Sequence, residues 1–160
     1  MASDSRFDLR FELPPDLTPC FEMVMPIRWG DMDAFGHVNN TVYFRYLESL
    51  RIEWLRSLEG AEPLGAEGTG PVIVNAFCNF YRQLTFPGDI LAKQYLGVVG
   101  RSSVDIYGTL ERVDEPGVIV AAGGAKTVWV HYAQQKSQPL PERLKRAATP
   151  PVQSGPLLPP

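Results

Sequence analysis

GHVNNTVYFRYLESLRIEWLRSL, Gly36–Leu58, is the stretch that decides the architecture. Val42, Tyr43, Tyr46, Leu47, Leu50, Trp54, Leu55 and Leu58 recur within it mostly at three- and four-residue intervals, which draws one broad apolar stripe along a helix. Arg45, Glu48, Arg51, Glu53 and Arg56 fall largely on the other sides, and Glu48 and Arg51, three apart, are spaced to form a structural ion pair. The pattern predicts a helix that starts near Asn39 or Asn40 and runs to about Leu58, with Gly60 as its stop. An asparagine at the start caps free N–H groups with its side-chain oxygen, and Asn40 is a candidate for that cap, for orienting a water, or for both.

Upstream of the helix, PCFEMVMPIRW (Pro19–Trp29) alternates as a strand does, and Pro26 argues for an edge position or a bulge. Downstream, a glycine-rich loop covers Gly60–Gly70. Four strand-like runs follow: Val72–Leu84, Asp89–Val99, Ser103–Val113 and Val118–Tyr132. Pro87-Gly88-Asp89, Gly100-Arg101-Ser102 and Glu115-Pro116-Gly117 are turn signals between them, and turns this short imply an antiparallel meander. The long apolar strands need a cover on one face, and the long helix is the obvious one. The expected fold is therefore α+β, an antiparallel sheet of about five strands wrapped around one central helix. Pro139–Ala147 fits a short final helix. Residues 1–18 read as a flexible lead-in, 19–147 as the folded domain and 148–160 as a proline-rich tail.

The chain has 160 residues, 44% hydrophobic and 21% charged, which suits one soluble domain able to bury a core without disulfide or metal staples. A net charge of −3 gives no general attraction to nucleic acid or anionic membranes. Residues 1–15 lack the apolar core of a secretory signal, and no apolar run reaches membrane-spanning length. A cytoplasmic protein with reduced thiols at Cys20 and Cys78 is expected, with no metal site because four ligands cluster nowhere.

The chemistry concentrates just before the helix, in RWGDMDAFGHVNN (Arg28–Asn40). On the residues alone, Asp31 and Asp33 read first as loop residues that make local turns or caps, with a carboxylate delivered to the open end of a helix as the alternative for Asp33. His37 suits a proton shuttle or a hydrogen bond that fixes the loop. A second constellation, Arg101-Ser102-Ser103, combines turn amides, hydroxyls and a guanidinium, a set suited to phosphate, although a solvated turn arginine accounts for it as well. Arg82 is a further phosphate candidate.

The run W-G-D-M-D-x-F-G-H-V-N-N, followed by Tyr43-Phe44-x-Tyr46-Leu47-Glu48 and Arg51, resembles the acyl-CoA thioesterases of the 4-hydroxybenzoyl-CoA thioesterase type. The resemblance covers about Phe21 to Leu144. It implies the hot-dog fold, in which a curved antiparallel sheet wraps a long helix, and it implies hydrolysis of acyl-CoA to a carboxylic acid and coenzyme A. The second aspartate of the D-x-D element, here Asp33, would be the general base or nucleophile. The position of Asn40 is variable in the family, and some relatives carry His or Tyr there. The amides of Asn39–Thr41 would hold the thioester oxygen, with Thr41, Arg101, Ser102 and Ser103 as substrate-binding residues. No cofactor is implied, since coenzyme A is part of the substrate. The implied assembly is a homodimer or a dimer of dimers. A carrier-protein thioesterase and a non-catalytic acyl-CoA-binding module are the alternatives. A hydratase of the same fold fits less well, because the Asp–His spacings do not match its pattern.

Overall fold

The structure is a computed structural model that describes residues 12–58 and 66–148. In chain order the elements are β1 (Phe21–Pro26), α1 (Asn40–Ser57), β2 (Thr69–Phe80), β3 (Asp89–Val99), β4 (Ser103–Arg112), β5 (Ile119–His131), β6 (Lys136–Ser137) and α2 (Glu142–Ala148). The strands form one antiparallel sheet in the order β1-β3-β4-β5-β2, with β6 paired to the end of β5. The sheet thus has six strands where the sequence predicts about five. The extra one, β6, is two residues long and too short to leave a periodic signal.

Alternation along the strands decides which face is covered. Ile90, Ala92 and Gln94 in β3, and Val104, Ile106, Gly108 and Leu110 in β4, are buried at every second position. The stripe of α1 lies on that face. Tyr43, Tyr46, Leu47 and Leu50 pack with Ile90, Ala92, Leu110, Val120 and Ala121. Trp54 and Leu55, about one turn further on, join Val104, Ile106, Trp129 and the α2 residue Leu144. This is the hot-dog arrangement.

The helix presses closely on the middle of the sheet. Gly108 and Gly123 stand opposite each other in the β4–β5 ladder. A Cβ on Gly123 would lie 2.5 Å from the Phe77 carbonyl oxygen and 2.7 Å from Leu47 Cδ1. Gly123→Ala is therefore expected to destabilise the fold by about 1–3 kcal/mol through overpacking. Thermal denaturation checks this, and an unchanged midpoint would mean that α1 has room to move away.

The sheet has two edges, β1 and β2. Pro26 closes β1, as an edge position allows. In β2, the consecutive residues Val72, Ile73 and Val74 are all exposed, so neither face of that stretch is covered. The register shifts there, between Ile73 and Asn75.

Several boundaries differ from expectation. β2 starts at Thr69 and ends at Phe80, displaced toward the N-terminus from Val72–Leu84, because Thr69–Pro71 pair with Trp129–His131 at the end of the long β5. Of the loop expected at Gly60–Gly70, residues 59–65 lie outside the described residues, Ala66–Gly68 form a 3-10 turn, and Thr69 and Gly70 belong to β2. The final helix is Glu142–Ala148, one residue beyond the expected domain limit. Most of the expected lead-in and tail, residues 1–11 and 149–160, lies outside the described residues. Cys20 and Cys78 are free thiols. Cys20 joins the sheet beside Gln94, and the row Gln94, Gly108, Gly123, Cys78 then crosses three strand spacings, about 14 Å, too far for a disulfide. Among the described residues no helix is long and apolar enough to cross a membrane.

Candidate active site

The segment between β1 and α1 folds into a tight polar hairpin. Met32 and Val38 form an antiparallel bridge. Inside it, the Asp33 amide donates to the His37 carbonyl at 2.8 Å and the Gly36 amide to the Asp33 carbonyl at 3.0 Å. Gly36 takes φ 78°, a value that favours glycine. The Val38 amide donates to the Leu84 carbonyl at 2.8 Å and docks the hairpin beyond the end of β2.

Asp33 sits at the tip. Its Oδ1 accepts from the Phe35 amide at 2.9 Å, and its Oδ2 accepts from Asn39 Nδ2 at 3.4 Å. Asp31 does different work. Its Oδ2 accepts from the Arg28 amide at 2.8 Å and from the Tyr46 hydroxyl at 2.7 Å. Its carbonyl accepts from the Asn39 amide at 2.9 Å. Asp31 is thus the brace that ties the hairpin to the core face of α1. Burial, and then the hydrogen bond to the Asp31 carboxylate, push the Tyr46 phenol far above the usual tyrosine range.

The helix cap is Asn39, which corrects the expectation for Asn40. Asn39 Oδ1 accepts from the Thr41 amide at 3.0 Å and from the Thr41 hydroxyl at 2.7 Å. Two adjacent asparagines offer the same cap chemistry, and the backbone decides between them: Asn39 is extended (φ −60°, ψ 141°) and Asn40 is the first helical residue. The expected anion site over Asn39–Thr41 narrows accordingly. The Asn39 amide is bound to Asp31, the Thr41 amide to Asn39, and the Val42 amide to the Asn39 carbonyl. Among the described residues the Asn40 amide has no acceptor. It is the free donor at the start of the helix, where the dipole adds positive potential.

Asp33, His37, Asn40, Tyr43, Phe80 and Arg82 line an open cleft of about 420 Å³. His37 braces the hairpin with its backbone carbonyl and lines the cleft, and its ring makes no hydrogen bond among the described residues. The Tyr43 hydroxyl accepts from the Leu84 amide at 3.1 Å and donates to the Arg82 carbonyl at 3.4 Å, so this buried tyrosine fixes the segment that carries Arg82. Sequence reasoning missed Asn39 as the residue joining cap and carboxylate, and Tyr46 as the brace. Tyr46 is 15 positions from Asp31, and no local pattern spans that gap.

Arg101, Ser102 and Ser103 lie elsewhere. Pro26, Asp89 and Arg112 mark the sheet end near Asp33, whereas Ser103 opens β4 at the other end. A strand of 10 residues separates them by about 30 Å. Arg101 is exposed, and its carbonyl accepts from the Leu140 amide at 2.9 Å. Within one chain this turn is remote from Asp33. The expected Glu48–Arg51 pair is replaced by Glu48 with Arg45, at 3.4 Å, which is closer to the open side of the helix.

The brace makes a prediction. Tyr46→Phe removes the bond to Asp31 and leaves packing intact, so a stability loss of about 1–2 kcal/mol is expected. Turnover should fall several-fold at unchanged KM, because the hairpin carrying Asp33 loosens while the cleft walls stay. Denaturant melts and steady-state kinetics on the same samples check this, and unchanged turnover would show that Asp31 acts without Tyr46.

Comparison with known proteins places these features in a context. The sequence profile described as the thioesterase-like superfamily matches residues 27–148. Among solved structures, the PA2801 protein of Pseudomonas aeruginosa, provisionally named a thioesterase, is 33% identical with a TM-score of 0.75, covering 82% of this chain and 100% of that one. A Xanthomonas campestris protein (XC229), provisionally named an acyl-CoA thioesterase, is 30% identical with a TM-score of 0.67, covering 77% of this chain and 100% of that one. Among curated proteins, the uncharacterized protein YsmA of Bacillus subtilis (strain 168) is 27% identical over 81 residues. That alignment takes in 51% of this chain and 54% of YsmA, so the chain spans about half the length of this curated relative.

Proposed function

Because the chain belongs to the thioesterase-like superfamily, we propose that it is an acyl-CoA thioesterase of the 4-hydroxybenzoyl-CoA type, with Asp33 as its catalytic carboxylate. The observation that carries this reading is the joining of two groups by one side chain. Asn39 donates to Asp33 Oδ2 at 3.4 Å and caps the helix whose next amide, that of Asn40, is free. A thioester carbonyl directed at the Asn40 amide exposes its carbon on the Asp33 side. As general base, Asp33 takes a proton from water while the oxygen attacks the carbon. The tetrahedral oxyanion is held by the Asn40 amide and the positive end of α1. Collapse breaks the C–S bond, and the coenzyme A thiolate leaves and is protonated. As nucleophile, Asp33 would instead form a mixed anhydride that water opens. Neither route uses a metal or a cofactor, and in this reading His37, which lines the cleft, would pass a proton to the leaving thiolate.

The coenzyme A end of the substrate fits a homodimer. The bare Val72–Val74 stretch of β2 calls for a second copy, since an open apolar edge invites strand pairing. Antiparallel pairing of β2 with its own copy across a two-fold axis would bring the partner's Arg101 turn, at the far end of the sheet, toward this chain's Asp33 end. Arg101, Ser102 and Ser103 would then bind nucleotide phosphate for the neighbouring site, and two such dimers could associate further. A carrier-protein substrate is less well supported, because an acidic carrier needs a basic docking face and the chain carries a net charge of −3. A binding module without activity would have no use for the Asp33 carboxylate.

The experiment is hydrolysis of an acyl-CoA panel, short, long and aromatic, read as released thiol. No release from any member would overturn the reading. Co-refolding Asp33→Asn with Arg101→Ala chains tests the shared site. A heterodimer contains one intact site only if the two residues act across the interface, so recovered activity is the expected result.

A further inference from the structure

The hairpin that carries Asp33 hangs by both of its roots from one short segment. Ile27, the residue after β1, donates its amide to the Gly88 carbonyl at 2.8 Å, and Val38, just before the helix cap, donates to the Leu84 carbonyl at 2.8 Å. Residues 84–88 lie in the connection from β2 to β3, and the residues just before them, Phe80–Gln83, form a wall of the Asp33 cleft. The place of the carboxylate in the cleft thus depends on how firmly a few connecting residues are held.

Burial does not hold them. Leu84 is buried, but Thr85, Phe86 and Pro87 are exposed. Their anchor is Arg112, the last residue of β4. Its Nη1 donates to the Thr85 carbonyl at 3.1 Å and its Nη2 to the Pro87 carbonyl at 3.3 Å. Among the described residues neither carbonyl has another donor. Asp114 grips the same guanidinium with both oxygens, accepting from Nε at 2.7 Å and from Nη2 at 2.8 Å. Such a two-bond grip fixes the plane of the fork as well as its charge. Gly88 leaves room for it, since a Cβ there would lie 2.5 Å from Nη2. The carbonyls of Leu84 and Gly88 therefore take the roots of the hairpin, and those of Thr85 and Pro87, between them, take Arg112. Arg112 itself is not among the residues that line the cleft.

We infer that Arg112 is a positioning residue for the reaction: by clamping the Thr85 and Pro87 carbonyls it sets where the Asp33 hairpin stands against the Asn40 amide. The inference rests on the reading of Asp33 as the catalytic carboxylate. Arg112 touches no reacting group, so its loss acts through geometry alone. A displacement of about 1 Å at a reacting group costs up to about 10² in rate. Lysine keeps the charge on a single nitrogen, which cannot reproduce a planar fork set between two carbonyls and a carboxylate.

The test compares Arg112→Met and Arg112→Lys with the wild type, each as the full chain. Kinetics are measured on whichever of butyryl-, decanoyl- and benzoyl-CoA the wild type hydrolyses fastest, and amide hydrogen exchange is followed residue by residue by NMR. Arg112→Met is expected to lower kcat about 10–100-fold and to leave KM within about twofold. Exchange of the Ile27 and Val38 amides should quicken at least about tenfold while the β4–β5 ladder keeps its rates, the signature of a local opening. Arg112→Lys should stay at least about fivefold below the wild type in kcat. If Arg112→Met does not fold, Asp114→Ala frees the guanidinium from an exposed partner and should move both readouts the same way, by about threefold. Unchanged exchange at Ile27 and Val38 overturns the inference, as does faster exchange there with unchanged kcat. Exchange that quickens equally across the sheet reduces Arg112 to general stability and overturns it too. A raised KM at constant kcat would assign Arg112 to binding, and full activity in Arg112→Lys would mean that charge alone suffices; either result ends the inference. A wild type that hydrolyses none of the three thioesters sinks the thioesterase reading instead, and the exchange rates then decide the clamp by themselves.

Discussion

Asp33→Asn is expected to lower turnover on the best acyl-CoA by about 10²–10⁴, the usual cost of losing a general base, and by more if the carboxylate is itself the nucleophile. The substitution is nearly isosteric. An asparagine oxygen can still accept from the Phe35 amide, as Asp33 Oδ1 does at 2.9 Å. The other side would present an amide NH₂ to Asn39 Nδ2, which cannot turn round because Asn39 Oδ1 holds the Thr41 amide. That mismatch concerns a half-buried pair at 3.4 Å, so stability should change by less than about 1 kcal/mol. The measurement is turnover together with thermal midpoint. Near wild-type turnover in a folded Asp33→Asn protein would remove Asp33 from the chemistry.

Asn40→Pro is expected to lower turnover by about 10²–10³ while the protein stays folded, the scale of one lost oxyanion donor. Proline is usually a blunt tool in a helix, but here the geometry favours it. Asn40 is the first helical residue, where proline's fixed φ suits the helix and its missing N–H breaks no helical bond. The preceding residue must be extended, and Asn39 already is, at φ −60° and ψ 141°. The side chain at this position is exposed, so its loss disturbs little packing. Circular dichroism should be unchanged and kcat should fall. A folded Asn40→Pro protein of normal activity would show that the thioester oxygen is held elsewhere. Asn40→Ala, which keeps the amide, should by contrast lose little.

The features that sequence reasoning located well are those set by local chemistry. The stripe of α1 and its cap asparagines bounded the helix to within a residue, and the turns around Pro87-Gly88-Asp89 and Gly100-Arg101-Ser102 gave β3 its observed limits, Asp89–Val99. β2 was misjudged because Thr69, Gly70 and Pro71 have weak strand character and are held by long-range pairing with β5. At the site, the hairpin and its carboxylate stand in the sequence, but the choice of Asn39 over Asn40 rests on backbone angles. The tie from Tyr46 to Asp31 spans separate elements, and so does the distance from Asp33 to the Arg101 turn. Those depend on how strands order in the sheet, which no short motif encodes.

The double engagement of Asn39 has an evolutionary consequence. Its oxygen stabilises the start of α1, and its nitrogen touches Asp33. Aspartate would keep the cap but set a second negative charge against Asp33, while serine and threonine would keep the cap without an arm long enough to reach it. Each of the ordinary replacements that protects folding therefore disturbs the carboxylate. Position 39 cannot drift by the neutral steps open to most helix caps, and a lineage that abandoned Asp33 would be freed at Asn39 in the same stroke.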